Sequence, residues 1–126
     1  MSSRYARENN IPFFGICLGM QCAVIDYARN VCSLKDANST EFKKKTSHPV
    51  IDIMLDQKNI THKGATMRLG CYDCEINKDT LIYKSYKERN IKERHRHRYE
   101  FNNKYLKKMQ DRGLIVGGVN KKLNLV

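Results

Sequence analysis

The chain has no apolar run long enough to cross a bilayer. Its longest, Ile11 to Met20, contains Pro12 and two glycines and stops at Gln21, well short of the roughly 20 residues a spanning helix needs. A signal core is missing as well, because Met1-Ser-Ser-Arg-Tyr-Ala-Arg leads straight into charged residues. These absences point to a cytoplasmic protein without membrane contact. Acidic residues are scarce, with 13 Asp+Glu against 24 Lys+Arg and a formal charge of +11 over 126 residues. No internal repeat or low-complexity segment is present. The five cysteines (Cys17, Cys22, Cys32, Cys71, Cys74) are an odd number, and in a reducing compartment each must be judged as core filler, metal ligand or nucleophile. The length supports one core and excludes a multi-step enzyme with separate substrate domains.

What is present reads as alternating strand and helix. Residues 11–16, Ile-Pro-Phe-Phe-Gly-Ile, have the composition of a buried parallel strand, with Pro12 admissible at its start. Met20, Val24, Tyr27, Ala28 and Val31 then recur at helical spacing with Asp26, Arg29 and Asn30 between them, so residues 11–34 predict strand, tight turn and amphipathic helix. Residues 35–61 read as loop, with one short strand possible from Val50 to Leu55. One or two strands are expected within 64–76, and a charged surface connection over 77–93. Within Arg94 to Phe101 the period is two: Arg94, Arg96 and Arg98 fall on one side of an extended backbone and His95, His97, Tyr99 and Phe101 on the other. A helix is expected over 103–112, ended by Gly113. Short strands follow at 114–116 and 122–126, about a turn at Gly117-Gly118-Val119-Asn120.

The most informative stretch is Gly15-Ile16-Cys17-Leu18-Gly19. Gly-x-nucleophile-x-Gly between a strand and a helix is how a nucleophile elbow is built. Residues without a Cβ let strand and helix approach closely enough to hold the nucleophile in a strained turn. A helix start offers free N–H groups and partial positive charge to an anionic sulfur, and the N–H of Leu18 is placed to hold a developing oxyanion. Cys17 is therefore the candidate nucleophile. As a bare pattern the same five residues also suit a buried structural cysteine.

Four segments, in order, resemble the glutaminase domain of the CTP synthase family: Ile11-Pro-Phe-Phe-Gly-Ile-Cys-Leu-Gly-Met-Gln21, Asn38-Ser-Thr-Glu-Phe42, Thr66-Met-Arg-Leu-Gly70 and Glu93-Arg-His-Arg-His-Arg-Tyr-Glu100. The cysteine elbow is shared by class I glutamine amidotransferases at large, whereas the second and fourth motifs are similar to this one family. The likeness covers most of residues 4–118. It departs at Ala65, where the family usually has a second glycine. The resemblance implies an α/β, flavodoxin-like class I glutamine amidotransferase fold, incomplete at both ends.

It also implies L-glutamine as substrate. Glu41 would accept hydrogen bonds from the α-ammonium, Arg98 would hold the α-carboxylate as a planar bidentate donor, and Leu18, Gly19, Met20 and Gln21 would line the pocket. Without the resemblance, Glu41 reads as a solvated loop acid and Arg98 as a surface arginine. Arg94 and Arg96 are expected to be solvated or interdomain charges, and His95 and His97 to be packed or hydrogen-bonded structural residues. The implied reaction is attack of the Cys17 thiolate on the amide carbon, release of ammonia, and hydrolysis of the thioester by water. In this family the base is a His oriented by a Glu in a His-Pro-Glu motif. This sequence has no His-Pro-Glu, its one His-Pro being His48-Pro49 before Val50, and the family's Gly-rich oxyanion loop is missing as well. The expectation is a chain inactive on its own. The resemblance further implies a synthetase domain of the same enzyme, absent here, that uses ATP, Mg2+ and UTP, and a homotetramer of the full-length protein. No cofactor or metal is expected in this chain.

Two rival readings remain. Cys71-x-x-Cys74 with His95 and His97 superficially supplies four zinc ligands, but His-x-His differs from the usual three-to-five-residue spacing. Nucleic-acid binding could use residues 84–112, which hold 11 Lys+Arg and 4 Asp+Glu with Tyr86, Tyr99, Phe101 and Tyr105 interleaved. No nucleic-acid-binding motif is present, and no nucleic-acid partner is expected.

Overall fold

A computed structural model describes residues 2–53 and 68–126. Helix α1 (Ser2–Glu8) leads through residues 11–16 to α2 (Leu18–Asn30), followed by β1 (Ala37–Ser39), β2 (His48–Ile53), β3 (Arg68–Ile76), α3 (Leu81–Tyr86), β4 (Asn90–His97), β5 (Tyr99–Phe101), a 3-10 turn (Asn103–Tyr105), α4 (Leu106–Gln110) and β6 (Gly118–Val119). The strands form two sheets of three, in the orders β1-β2-β5 and β4-β3-β6.

The first sheet carries the core. β1 runs parallel to β2, β5 runs antiparallel to it, and α2 packs against all three strands. Ile25 and Ala28 of α2 meet Ala37, Val50, Ile51 and Phe101 of the strands, and Tyr105 and Met109 close the far side. Helix α2 forms as expected, but its buried line is Gln21, Ile25 and Ala28; of the predicted positions only Ala28 is buried, while Met20, Val24, Tyr27 and Val31 are half-buried. Arg29 near the end of α2 donates from Nε to the Ala37 carbonyl at 2.7 Å, and Tyr27 donates its hydroxyl to the Arg112 carbonyl at 2.7 Å. The helix is thereby tied to the start of β1 and to the segment after α4.

The second sheet is a ribbon. β3 and β4 pair from Arg68↔His97 to Glu75↔Asn90, and β6 adds to β3 through Glu75↔Val119. Burial along β4 alternates strictly between exposed and half-buried residues, the period of two read from Arg94 to His97. Arg98 departs from that alternation. It stands at the break between β4 and β5 and is half-buried, whereas Arg94 and Arg96 are exposed.

Several expectations need correction. Residues 11–16 form no strand, because a buried parallel strand requires ladder partners on its edges and none pairs with them among the described residues. The segment expected to be loop holds β1 as well as β2, and the connection over 77–93 holds α3, capped by the Thr80 hydroxyl accepting from the Tyr83 N–H at 3.3 Å. The helix over 103–112 begins as a 3-10 turn. At the C-terminal end, Gly118 and Val119 form strand β6 where a turn was expected, and Asn120 bridges Leu125. Parts of the expected segments, including Thr66 and Met67, lie outside the described residues.

Candidate active site

Cys17 is the N-cap of α2 and has φ 52° and ψ −112°, a conformation that L-residues other than glycine rarely adopt. The strain is held in place from both sides. A Cβ on Gly15 would lie 2.6 Å from the carbonyl carbon of Gly19 and 2.7 Å from the nitrogen of Met20, so only glycine lets residue 15 pass under the first turn of the helix. On the helix side, the Gly19 N–H bonds the Ile16 carbonyl at 2.9 Å and the Gln21 N–H bonds the Cys17 carbonyl at 3.1 Å. The two glycines of the motif therefore differ: nothing lies within 4 Å of a Cβ on Gly19. The Cys17 side chain is exposed, and the N–H of Leu18 opens a helix whose first N–H groups have no carbonyl four residues back.

Topology brings the other candidates toward this helix start. With the end of α2 bonded to Ala37 at the beginning of β1, its start points to the opposite end of that strand. Glu41 follows β1 at that end, in a turn where its N–H bonds the Ser39 hydroxyl at 3.2 Å and the neighbouring Thr40 hydroxyl donates to Asp52 at 2.7 Å. β5 runs back along β2 with Tyr99 opposite Ile53, which sets Arg98 at the same end. Open parallel sheets bind ligands beyond the carboxyl ends of their strands, and the order of the elements sets Cys17, Glu41 and Arg98 toward that end of β1 and β2. Gln21 faces inward, 5% exposed, and its Oε1 has no hydrogen-bond partner among the described residues. Leu18 is exposed, while Gly19 and Met20 are half-buried. His48 begins β2, at the other end of that strand, with its ring edge-on to Tyr105; it is roughly 16 Å of strand from the Glu41 end.

Cys17 and Met20 line a cleft of about 470 Å3, whose facing wall is the half-buried side of the ribbon, with Ile91, Glu93, His95 and His97. Glu41 and Arg98 are not on its walls. The reading of His95 and His97 as hydrogen-bonded residues matches an Nδ1 to Nδ1 distance of 3.4 Å. Their place opposite Cys17 was not foreseen. The signal for it was their even spacing with Ile91 and Glu93, which puts all four on one face of β4.

The zinc arrangement is not assembled. Three residues apart in a regular ladder, Cys71 and Cys74 point to opposite faces of β3. Burial pushes the Cys74 thiol up, with the Glu93 carboxylate adding to the effect, which disfavours the thiolate that a metal requires. No group of three or more His, Cys, Asp or Glu side chains able to hold a metal occurs among the described residues.

With this geometry in view, the family model described as glutamine amidotransferase class-I matches residues 1–124. The chain belongs to the class-I glutamine amidotransferases. The CTP synthase of Cytophaga hutchinsonii is 62% identical over 122 residues, 97% of this chain and 23% of that protein. The CTP synthase of Bacteroides fragilis is 56% identical over 126 residues, 100% of this chain and 24% of that protein. Among solved structures, the glutaminase domain of Trypanosoma brucei CTPS with bound acivicin superposes with a TM-score of 0.87 at 44% identity, covering 95% of this chain and 46% of that one. This amidotransferase chain thus spans about a quarter of the length of the curated relatives it matches. Its mixed α/β architecture is that of the class-I amidotransferase domain, and no helix among the described residues is long and apolar enough to cross a membrane.

Proposed function

We propose that this chain carries the nucleophile and the glutamine-recognition groups of a glutaminase whose ammonia serves the ATP-dependent conversion of UTP to CTP. The observation that carries the reading is the strained backbone of Cys17 at the start of α2 over Gly15, an arrangement that costs about 1–3 kcal/mol and persists where function requires it. Glutamine's α-ammonium is held by Glu41 and its α-carboxylate by Arg98, whose planar guanidinium offers two parallel donors. Leu18 to Gln21 line the amide end of the pocket.

The Cys17 sulfur adds to the amide carbon, and the tetrahedral oxyanion rests on the Leu18 N–H. Collapse expels ammonia and leaves a thioester for water to cleave. Both proton transfers need a base, which the family likeness assigns to a His-Pro-Glu motif that residues 1–126 do not contain, and His48 is at the wrong end of β2 to replace it. Residues 1–126 by themselves therefore bind glutamine without turning it over appreciably. ATP, Mg2+, the synthetase domain and a tetrameric assembly belong to the whole enzyme this reading invokes. Titration of L-glutamine into the chain tests the recognition part: binding is expected, with at least about a tenfold loss in Arg98→Lys, equal to one lost charge-assisted bond. Equal affinity in wild type and Arg98→Lys removes Arg98 from the site. Ammonia release that disappears in Cys17→Ser refutes the inactivity of the isolated chain.

A further inference from the structure

Glu41 follows β1 in a turn closed by one residue. The Ser39 hydroxyl accepts the Glu41 N–H at 3.2 Å, and the Ser39 carbonyl accepts the N–H groups of Phe42 and Lys43 at 3.1 and 2.9 Å. Ser39 itself is wholly buried, so the backbone of the turn is anchored to the packed sheet. The Glu41 side chain is exposed, and no hydrogen bond or ion pair among the described residues engages its carboxylate. Thr40 ties the same turn sideways to β2. Its N–H bonds the Ile51 carbonyl at 3.0 Å, and its hydroxyl donates to Asp52 Oδ1 at 2.7 Å. The Ile53 N–H donates to that same oxygen at 2.8 Å. Two donors on one oxygen orient the Asp52 carboxylate, and Asp52 stands opposite Glu100, two residues beyond Arg98.

The Thr40–Asp52 bond therefore lies between the two residues assigned to the charged ends of glutamine. Glu41 is the chain neighbour of Thr40, and Arg98 leads into the strand that flanks Asp52. A site for a zwitterion must hold its two charged groups at one separation, and such a geometry is kept only where hydrogen bonds behind the contact residues lock them in place. We infer that Thr40 is a positioning residue, which acts through Asp52 to hold the Glu41 turn at the distance from Arg98 that an α-amino acid requires, and so sets the preference for a ligand bearing an α-ammonium. Neither Thr40 nor Asp52 needs to touch the ligand. The inference rests on the proposed reading of Glu41 as the ammonium acceptor and is independent of Cys17, so its test reads binding selectivity and not turnover.

The chain is titrated with L-glutamine and with 4-carbamoylbutanoate, which keeps the carboxylate and the amide and lacks only the α-ammonium. Wild type is expected to prefer glutamine. Thr40→Val, close in size but without the hydroxyl, should narrow that preference about fivefold or more while changing the affinity for 4-carbamoylbutanoate by less than about twofold. Thr40→Ser keeps the donor and should keep the preference. Thr40→Ala removes the same bond without placing a methyl group where the hydroxyl was, and should match Thr40→Val. In a Glu41→Gln background, Thr40→Val should add nothing. Asp52→Asn retains an acceptor and should leave the preference intact; a loss there as large as in Glu41→Gln would mean that Asp52 meets the ammonium itself, and would overturn the positioning role. An unaltered preference in both Thr40→Val and Thr40→Ala, or an equal loss of affinity for both ligands, overturns it as well. If Glu41→Gln itself leaves the preference intact, the ammonium assignment fails and the inference falls with it, whereas a preference lost in Glu41→Gln and kept in Thr40→Val sinks the inference alone.

Discussion

The two sheets differ in the way that matters for the site. β1-β2-β5 is made of short strands, yet Ala37, Val50 and Ile51 are wholly buried beneath α2 and Met109. β4-β3-β6 has the longer strands and eight cross-strand pairs between β3 and β4, and among its residues of described burial only Ile76 is buried. A backbone ladder sets a shape, while removal of apolar surface from water supplies most of the stability. Cys17, the proposed nucleophile, hangs from the packed unit through α2. The ribbon contributes the facing wall of the cleft.

The largest effects should separate these units. Met109→Ala or Ile51→Ala opens a cavity where nothing is exposed and should cost about 2–5 kcal/mol. Leu69→Ala on the ribbon, 61% exposed, should stay within about 0.5 kcal/mol. Urea denaturation of the three variants checks this, and equal losses would show that the ribbon is as much a part of the core as the first sheet.

The elbow offers a finer contrast between residues four apart. Gly15→Ala drives a methyl group into the backbone of Gly19 and Met20 and should cost about 1–3 kcal/mol. Gly19→Ala meets nothing within 4 Å and should stabilise the helix by about 0.5–1 kcal/mol. Cys17→Gly relieves the φ of 52° and should raise stability by about 1 kcal/mol while removing the proposed nucleophile. Thermal melts of the three variants decide, and a destabilised Cys17→Gly would mean that the conformation is not strained.

A smaller effect concerns the connection between β1 and β2. Asp36 accepts from Lys43 and from the N–H and hydroxyl of Ser47, at 2.8 and 2.9 Å for the latter two. The Lys43 bond first and the Ser47 bonds next hold its carboxyl well below the usual carboxylate range. A depressed carboxylate stabilises the fold above its unfolded pKa and loses that contribution as pH falls through the folded one. Loosening of this connection in acid, seen in the Ser47 amide resonance, should therefore be absent in Asp36→Asn. The same titration in both proteins would contradict it.

Legibility in the sequence followed the same division. α2 and the alternation of β4 could be read because their periods are local and each has one wet face. β1 could not: its Ala37 and Ser39 are small residues made core by α2 above them, a non-local cause. Residues 11–16 misled for the converse reason, since composition shows what a strand would bury but not whether a neighbour is there. Gly117-Gly118 looked like a turn, yet a Cβ on Gly118 would lie 2.7 Å from the Cys74 sulfur, so that glycine serves close packing of β6 on β3. At the candidate site, the elbow was legible from Gly-x-Cys-x-Gly, whereas the proposal of Glu41 and Arg98 came only through the family likeness. The histidines opposite Cys17 needed the ribbon's placement in space.

Cysteine selectivity tests the assignment of Cys17 most directly, because Cys22 and Cys71 are equally classed as exposed and serve as internal controls. The chain is treated with a chloroketone analogue of L-glutamine, and the modified cysteines are mapped by mass spectrometry with and without excess glutamine. Modification confined to Cys17 and suppressed by glutamine is the expected result; labelling of Cys22 and Cys71 as fast as Cys17, indifferent to glutamine, would contradict a glutamine-directed nucleophile at the start of α2.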